Sequence, residues 1–366
     1  MSAAARSDRL AALLADEGLD QLLVGDLVHP SETPREAGAN LRWLTGFTGT
    51  SGLAVVGAEE RLFLTDFRYT ERAEREIEGF DLLRVERGLI RDAARRLRGR
   101  VGYDDAETSV KNLRRLRESA SEGVELVPAA GLVERLRRRK DQGELAAIAE
   151  AARAADETYE WIFGRGLVGR SEREVMLAAH DRLLGLGAED PSFPTIVAAG
   201  ENSALPHHDS SAREIGVGEV VLIDMGAIVD GYCSDCTRTV ATGELDSEAR
   251  AVYEVVHSAQ AAALDAIRPG LAGPEGDAVA RDIIVAAGYG AEFGHGLGHG
   301  VGIAVHEPPR LSKRSDDTLE PGDVVTVEPG IYMSGRFGVR IEDLVAVTDD
   351  GCRNLSSVPK DLRVVG

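Results

Sequence analysis

Apolar residues recur along this chain with two periods, and the period changes with position. Within residues 1–20, Leu10, Leu13, Leu14 and Leu19 lie close to helical spacing and predict an amphipathic helix. Short apolar runs at 22–24, 53–56 and 62–64 predict strands, and 70–78 and 92–97 read as helices. The glycine-rich stretch 43–53 does not match a phosphate-binding fingerprint and predicts turns between strands. From 129 to 166 runs a helical stretch carrying Arg135, Arg137, Arg138, Arg139 and Lys140, then alanines interspersed with Glu144, Glu150 and Glu157. It predicts a joining helix with a solvated basic face. Further helices are predicted at 171–184, capped by Ser171, at 247–267 and at 275–287. The expected organisation is a smaller α/β domain over residues 1–130 and an α+β domain over 131–366 that begins with the joining helix.

The second half repeats itself. Gly218-Glu-Val-Val-Leu-Ile-Asp224-Met-Gly226 aligns without a gap to Gly322-Asp-Val-Val-Thr-Val-Glu328-Pro-Gly330, differing in character only at Leu222 against Thr326 and Met225 against Pro329. Each copy is followed by a second predicted acidic strand, 232–240 with Asp235 and 338–347 with Glu342. Alternation places Leu222, Asp224 and Gly226 on one face and Val221, Ile223 and Met225 on the other. An acid therefore interrupts each apolar strand, and two related halves present four acids toward a cleft.

Composition narrows the partners. Lys+Arg 42 against Asp+Glu 62 gives a net charge of −20, which disfavours nucleic acid and anionic membrane surfaces by long-range repulsion. Only Lys111, Lys140, Lys313 and Lys360 are lysines. That acidic, lysine-poor balance resembles surfaces of proteins from salt-loving organisms, and such a surface is expected to be more stable in molar KCl than in dilute buffer. No apolar run reaches the roughly 18 residues of a membrane span and 1–20 lacks a signal-peptide core, so a cytoplasmic location is expected. Cys233, Cys236 and Cys352 form no disulfide framework. Cys233-Ser-Asp-Cys236 has redox spacing, but its segment reads as a strand that points the two thiols to opposite faces, so both are expected to be small apolar fillers.

Burying unpaired carboxylates costs several kcal/mol each, so four converging acids require cations. Arg238 and Arg340 could pair with them singly; the duplication and a nearby histidine cluster favour metal ions instead. That cluster is Gly294-His295-Gly-Leu-Gly-His299-Gly-Val-Gly-Ile-Ala-Val-His306-Glu307-Pro308, whose alternate glycines forbid a stable helix and permit close backbone approach. Spacing does not choose among His295, His299 and His306 as ligand. His207 and His208 lie in a second short segment, while His29, His180 and His257 are expected to be ordinary residues. Oxygen donors with one imidazole suit Mn²⁺ or Co²⁺ foremost, and Zn²⁺ or Fe²⁺ as well, and two divalent ions balance four carboxylates. Such a pair ionises water near neutral pH and polarises a carbonyl, which is hydrolase chemistry.

These motifs resemble the pita-bread metallopeptidases, specifically the Xaa-Pro dipeptidases (prolidases) and aminopeptidase P. The resemblance rests on Leu222-Ile-Asp-Met-Gly, Ser234-Asp-Cys-Thr-Arg-Thr, His295-Gly-Leu-Gly-His-Gly with Val305-His-Glu, Val327-Glu-Pro-Gly-Ile-Tyr and Val339-Arg-Ile-Glu-Asp. Leu44-Thr-Gly-Phe-Thr-Gly and Leu64-Thr-Asp-Phe-Arg-Tyr resemble the family's smaller domain, and Cys236 stands where isoleucine is usual. The resemblance implies two metal ions on Asp224, Asp235, His299, Glu328 and Glu342, with Asp235 and Glu342 touching both, and a metal-bridging hydroxide that attacks the Xaa-Pro carbonyl. It further implies that His207 and His306 contact substrate and steady the tetrahedral intermediate, that Glu328 relays a proton, and that His295 sits toward a proline pocket. Arg340, two residues from Glu342, can reach the metal site's surroundings on strand geometry. Expected substrates are small peptides with proline second, and a homodimer is expected. The alternatives are a creatinase-like amidinohydrolase without metal and a non-catalytic pita-bread peptide-binding module; metal content separates both from the enzyme.

Overall fold

The computed structural model describes residues 1–25, 27, 38–86 and 88–366, and His29 lies outside the described residues. The chain divides into two compact units, Met1–Arg137 and Arg138–Gly366. In the first, the apolar runs pair into a six-stranded mixed sheet. Its strands are β1 (Gln21–Val24), β2 (Gly52–Gly57), β3 (Arg61–Asp66), β4 (Asp81–Val85), β5 (Arg100–Tyr103) and β6 (Glu125–Pro128), in the order β4-β3-β2-β1-β5-β6. Its helices are α1 (Ala3–Asp16), α2 (Ala39–Thr45), α3 (Thr70–Glu76), α4 (Leu89–Ala94), α5 (Val110–Ser119) and α6 (Leu132–Arg137). Two expectations need correcting here. Residues 43–45 complete α2, which Gly46 ends with a left-handed φ of 80° and an N–H donated to the Arg42 carbonyl. The helix expected at 92–97 starts earlier, at Leu89. Strands β4 and β6 escape the pattern because they are half-exposed sheet edges, where backbone pairing rather than alternation fixes the strand.

The second unit opens with α7 (Gln142–Phe163) and α8 (Glu172–Gly185), each begun by a capping box, Asp141 with Glu144 and Ser171 with Glu174. The single helix expected over 129–166 is broken between Arg137 and Gln142. Ion pairs within the unit explain the break: Arg138 bonds Asp323 at 2.7 Å, and Lys140, 1% exposed, bonds Glu307 at 2.7 Å. Part of the basic run is thus neutralised in the interior instead of forming a solvated face.

Then follow β7 (Asp190–Pro191), β8 (Ile196–Ala199), a 3-10 turn at Gly200–Ala204, β9 (Val220–Met225), β10 (Ala227–Val229), β11 (Tyr232–Cys233) and β12 (Cys236–Ala241). Helices α9 (Ser247–Ala266) and α10 (Gly273–Ala286) precede β13 (Gly298–Gly300), β14 (Glu307–Leu311), β15 (Val324–Val327), β16 (Gly330–Met333), β17 (Phe337–Arg340), β18 (Asp343–Val347) and β19 (Cys352–Asn354). The duplication is visible in the pairings. In the first copy β9 pairs with β12 and β10 with β11; in the second β15 pairs with β18 and β16 with β17. Each acidic second strand, expected to be continuous, is broken where pairing changes partner, at Ser234–Asp235 and at Ile341–Glu342. Cys233 and Cys236 consequently sit on different strands, both buried and neither in a disulfide.

Each copy packs on its own helix pair. Val221, Ile223 and Met225 join Tyr159, Ile162 and Val175 of α7 and α8, while Val325, Val327 and Val345 join residues of α9 and α10 such as Val256 and Ile284. Leu222 lies instead with Ile196 and Ala198, so β9 alternates as its pattern predicts. Truncating a fully buried residue of this kind, Ile223→Ala, costs about 2–5 kcal/mol. Among the described residues no helix is long and apolar enough to cross a membrane.

Candidate metal centre

The acids sit where the repeat changes sheets, so local backbone chemistry decides where they point. At Gly226 a Cβ would lie 1.8 Å from the Ser234 carbonyl oxygen; only glycine lets the chain leave β9 so close to its partner. Ser234 closes the crossing, donating its N–H to the Ala227 carbonyl at 2.9 Å while its Oγ accepts from Ala227 N at 3.0 Å, and Asp235 follows directly. In the second copy Glu342 N–H donates to the Thr237 carbonyl at 3.1 Å, and Thr237 Oγ1 donates to Glu342 Oε2 at 2.6 Å. β12 of one copy therefore holds the acid of the other. His299 is delivered by β13, where Gly298 lets the strand approach within 2.0 Å, measured from a Cβ position, of the Thr326 carbonyl.

One ligand atom each from Asp235, His299 and Glu342 lies within 4.8 Å of the other two. Glu328 Oε1 is 3.3 Å from His299 Nε2 and accepts from Thr326 Oγ1 at 3.1 Å. Asp224, paired in register with Thr237, accepts from Arg340 Nη2 at 2.6 Å through Oδ2, while its Oδ1 is buried and has no partner among the described residues. Arg340 also donates to Thr237 Oγ1 at 3.0 Å and to the Tyr332 hydroxyl at 2.8 Å. The Arg238 guanidinium pairs instead with Asp343 at 2.8 Å and reaches Glu342 only at its backbone carbonyl, so among the described residues one of the two candidate arginines pairs with a candidate ligand's carboxylate. Among the described residues neither Asp235 nor Glu342 has a lysine or arginine at ion-pair distance.

Electrostatics follow from that shortage of cations. Burial, then the neighbouring Glu342, Asp224 and Glu328, pushes Asp235 well above the usual carboxylate range. Burial and the charges of Glu328 and Asp224 do the same to Glu342. Asp224 is raised by burial against the pull of Arg340. At Glu328 burial is outweighed by the hydrogen bond and charge of His299, which bring it down to about 2. A divalent cation among these oxygens removes the repulsion, and the orphaned Asp224 Oδ1 gives it a free lone pair. His299 fits as well: its Nδ1 lies 3.1 Å from the Gly300 carbonyl, a contact that orients the ring with Nε2 toward the acids, where a cation would take the place of a proton. Three buried carboxylates, a fourth beside them and one oriented imidazole suit hard or borderline divalent ions.

All nine residues singled out from sequence, Asp224, Asp235, His299, Glu328, Glu342, His207, His295, His306 and Arg340, line one cavity of about 890 Å³. His207 and His306 are exposed to it, and the His306 ring stands 4.4 Å from that of His299. Lost solvation in the cavity wall, then the charge of His299, lowers the His306 imidazole to about 4, so it is neutral near pH 7. His295 Nδ1 meets the Gly296 carbonyl at 2.8 Å and its Nε2 the Tyr332 hydroxyl at 3.0 Å. Arg310 also lines the cavity and lies in none of the motifs, while Tyr332 and Thr237 lie within quoted motifs but owe their roles to contacts that only the fold creates, Tyr332 with His295 and Arg340 and Thr237 with Glu342 and Arg340. His180, expected to be ordinary, lies in the same cavity wall, and its Nε2 has no partner among the described residues.

Both units of the chain match known families. Residues 146–349 match the model of metallopeptidase family M24, and residues 6–139 match the creatinase/prolidase N-terminal domain. The chain is 40% identical over 362 residues to the uncharacterized peptidase YqhT of Bacillus subtilis, covering 98% of this chain and 99% of that protein. Among solved structures, the Xaa-Pro dipeptidase from Bacillus anthracis superposes with a TM-score of 0.92 at 37% identity, covering 99% of this chain and 100% of that one. The X-Pro aminopeptidase from Thermotoga maritima superposes at 0.87 with 33% identity, covering 98% and 100%.

Proposed function

The chain belongs to metallopeptidase family M24, with a creatinase/prolidase N-terminal domain ahead of a pita-bread catalytic domain, and from that premise we propose that it hydrolyses the bond between an N-terminal residue and proline in small peptides. The observation that carries this reading is the convergence of Asp224, Asp235, His299, Glu328 and Glu342 in one cavity, with Asp224 Oδ1 lacking a partner among the described residues. Two divalent ions on these five side chains, Mn²⁺ or Co²⁺ foremost, would ionise the attacking water near neutral pH and polarise the scissile carbonyl.

The chain's own groups do the rest. Arg340 orients Asp224 through its 2.6 Å bond and opposes the protonation that burial favours, and Thr237 orients Glu342 at 2.6 Å. Glu328, on the cavity side, accepts the water's proton and passes it to the prolyl nitrogen, which needs it in order to leave. His207 and His306, exposed to the cavity, donate hydrogen bonds to the oxygen that gains charge as the carbonyl carbon becomes tetrahedral. His295, braced by the Tyr332 hydroxyl, walls the side where the pyrrolidine ring sits. A prolyl amide carries no N–H, so recognition falls on ring shape and on whatever follows proline. Arg310 lines the cavity, and among the described residues its guanidinium has no carboxylate partner; it is placed to take the free carboxylate of a dipeptide. On that ground we assign dipeptides as the preferred substrate. A homodimer is expected, and sedimentation of the purified protein checks it.

The test is turnover of an Xaa-Pro dipeptide and an Xaa-Pro-Yaa tripeptide before and after exhaustive chelation. The reading expects faster dipeptide cleavage, loss of activity without metal, and recovery on adding Mn²⁺ or Co²⁺. Undiminished cleavage after chelation contradicts it.

A further inference from the structure

Glu172, the first residue of α8, has 0% of its side chain exposed and does not line the cavity, yet five hydrogen bonds end on its carboxylate. Oε1 accepts from Ala199 N at 2.8 Å and Asn202 Nδ2 at 2.9 Å. Oε2 accepts from His208 Nε2 at 2.8 Å, Ser211 N at 3.0 Å and Ser211 Oγ at 2.7 Å. Burial opposes its ionisation, but the bonds from Ser211, Ala199, Asn202 and His208 outweigh burial and hold it below the usual glutamate value. The backbone joins in: Glu172 N–H donates to the Arg213 carbonyl at 3.0 Å and Arg173 N–H to the Ser211 carbonyl at 2.9 Å.

Every one of these partners belongs to one segment, 199–213, which supplies a wall of the cavity. Ala199 ends β8, whose Ile196 pairs directly with Asp224, so one end of the segment is fixed to the metal centre's own strand. His207 lies within it and is exposed to the cavity, and among the described residues its ring makes no hydrogen bond of its own. Its position must therefore come from the backbone on either side, which is what His208 and Ser211 anchor to Glu172.

We infer that Glu172 is a positioning residue for His207, holding the 199–211 wall at the distance from the metal ligands that His207 needs to meet the reacting carbonyl. The inference rests on the role given to His207 above. Glutamine is the discriminating replacement. Each carboxylate oxygen accepts one backbone N–H, from Ala199 and from Ser211, which can only donate; an amide of the same shape offers one oxygen and turns an NH₂ toward the other N–H, so at least one of these bonds is lost without a change in volume.

The experiment measures kcat/KM for an Xaa-Pro dipeptide at saturating Mn²⁺ for the wild type, Glu172→Gln, His207→Ala and the double variant, with Mn²⁺ affinity by calorimetry on each. Misplacing a reacting group by 1 Å costs up to about 10²-fold, so Glu172→Gln is expected to lower kcat/KM roughly 30-fold while Mn²⁺ affinity stays within about twofold. In the His207→Ala background the same substitution should cost less than about threefold, because the group it positions is gone. Equal losses in both backgrounds, or a matching loss of Mn²⁺ affinity, mean a general structural role and overturn the inference. Undiminished activity of His207→Ala alone removes the role of His207, and the inference with it, and is seen in that single variant. Ser211→Ala deletes only one hydroxyl donor and covers the case in which Glu172→Gln does not fold; its loss, smaller, must likewise vanish in the His207→Ala background, and an additive loss overturns the inference.

Discussion

The Lys140–Glu307 ion pair gives a stability prediction that can be worked from its geometry. The two charges are 2.7 Å apart with side chains 1% and 5% exposed, and Glu307 follows His306 in the chain. At an effective dielectric near 20 their attraction is about 6 kcal/mol, while removing each ion from water costs several kcal/mol, so the pair is close to neutral against two uncharged side chains. Lys140→Met alone should behave differently, since it leaves Glu307 buried without the ammonium. The expected cost is about 3–5 kcal/mol. At roughly 2–4 °C per kcal/mol for a unit of this size, Tm should fall by roughly 6–20 °C. The double variant Lys140→Met/Glu307→Gln removes both charges and should recover to within about 1 kcal/mol of the wild type. Urea unfolding followed by circular dichroism, with matched slopes, measures all three. A single variant costing less than about 1 kcal/mol, or a double variant less stable than the single, would refute the assignment of this pair as a compensated buried charge.

Two further outcomes follow from the cavity and its wall. Arg310→Ala should raise KM for an Xaa-Pro dipeptide by about 10- to 100-fold, the worth of a charge-assisted hydrogen bond, and change cleavage of a tripeptide amide far less; equal effects on both would remove the carboxylate-recognition role. Because the Glu172 carboxyl is held below its ordinary value when folded, the native state binds fewer protons than the unfolded chain there. Its stabilisation is present above the unfolded glutamate pKa and is lost as pH falls through the lower folded value, so Glu172→Gln should flatten the acid limb of the stability profile, and an unchanged limb contradicts the sign.

Much of the site was legible because a duplicated strand with an acid in each copy is a chemical anomaly that apolar burial cannot explain. Asp224 and Glu328 stand at matching positions of the repeat, and β9 alternates as its residues demand. Spacing did not choose among three histidines, since His295, His299 and His306 differ in what lies across from them: Tyr332, the acids and the open cavity respectively. The broken second strands were not legible either, because Asp235 and Glu342 sit where pairing changes partner, and that depends on glycine contacts such as Gly226 against Ser234. The interruption before α7 was hidden for a related reason: Arg138 and Lys140 find acids more than 160 residues away in sequence, a long-range pairing that helical propensity does not register. Glu172 carried no motif at all; a glutamate opening a helix is ordinary until its five donors are seen together.

The central claim is that five side chains from distant points of the chain hold two metal ions together. Anomalous diffraction at the manganese edge, from crystals grown with Mn²⁺, tests it directly. Two peaks about 3.5–4 Å apart, enclosed by Asp224, Asp235, His299, Glu328 and Glu342, are predicted. No peak in that cavity, or a lone ion bound away from these residues, would contradict it.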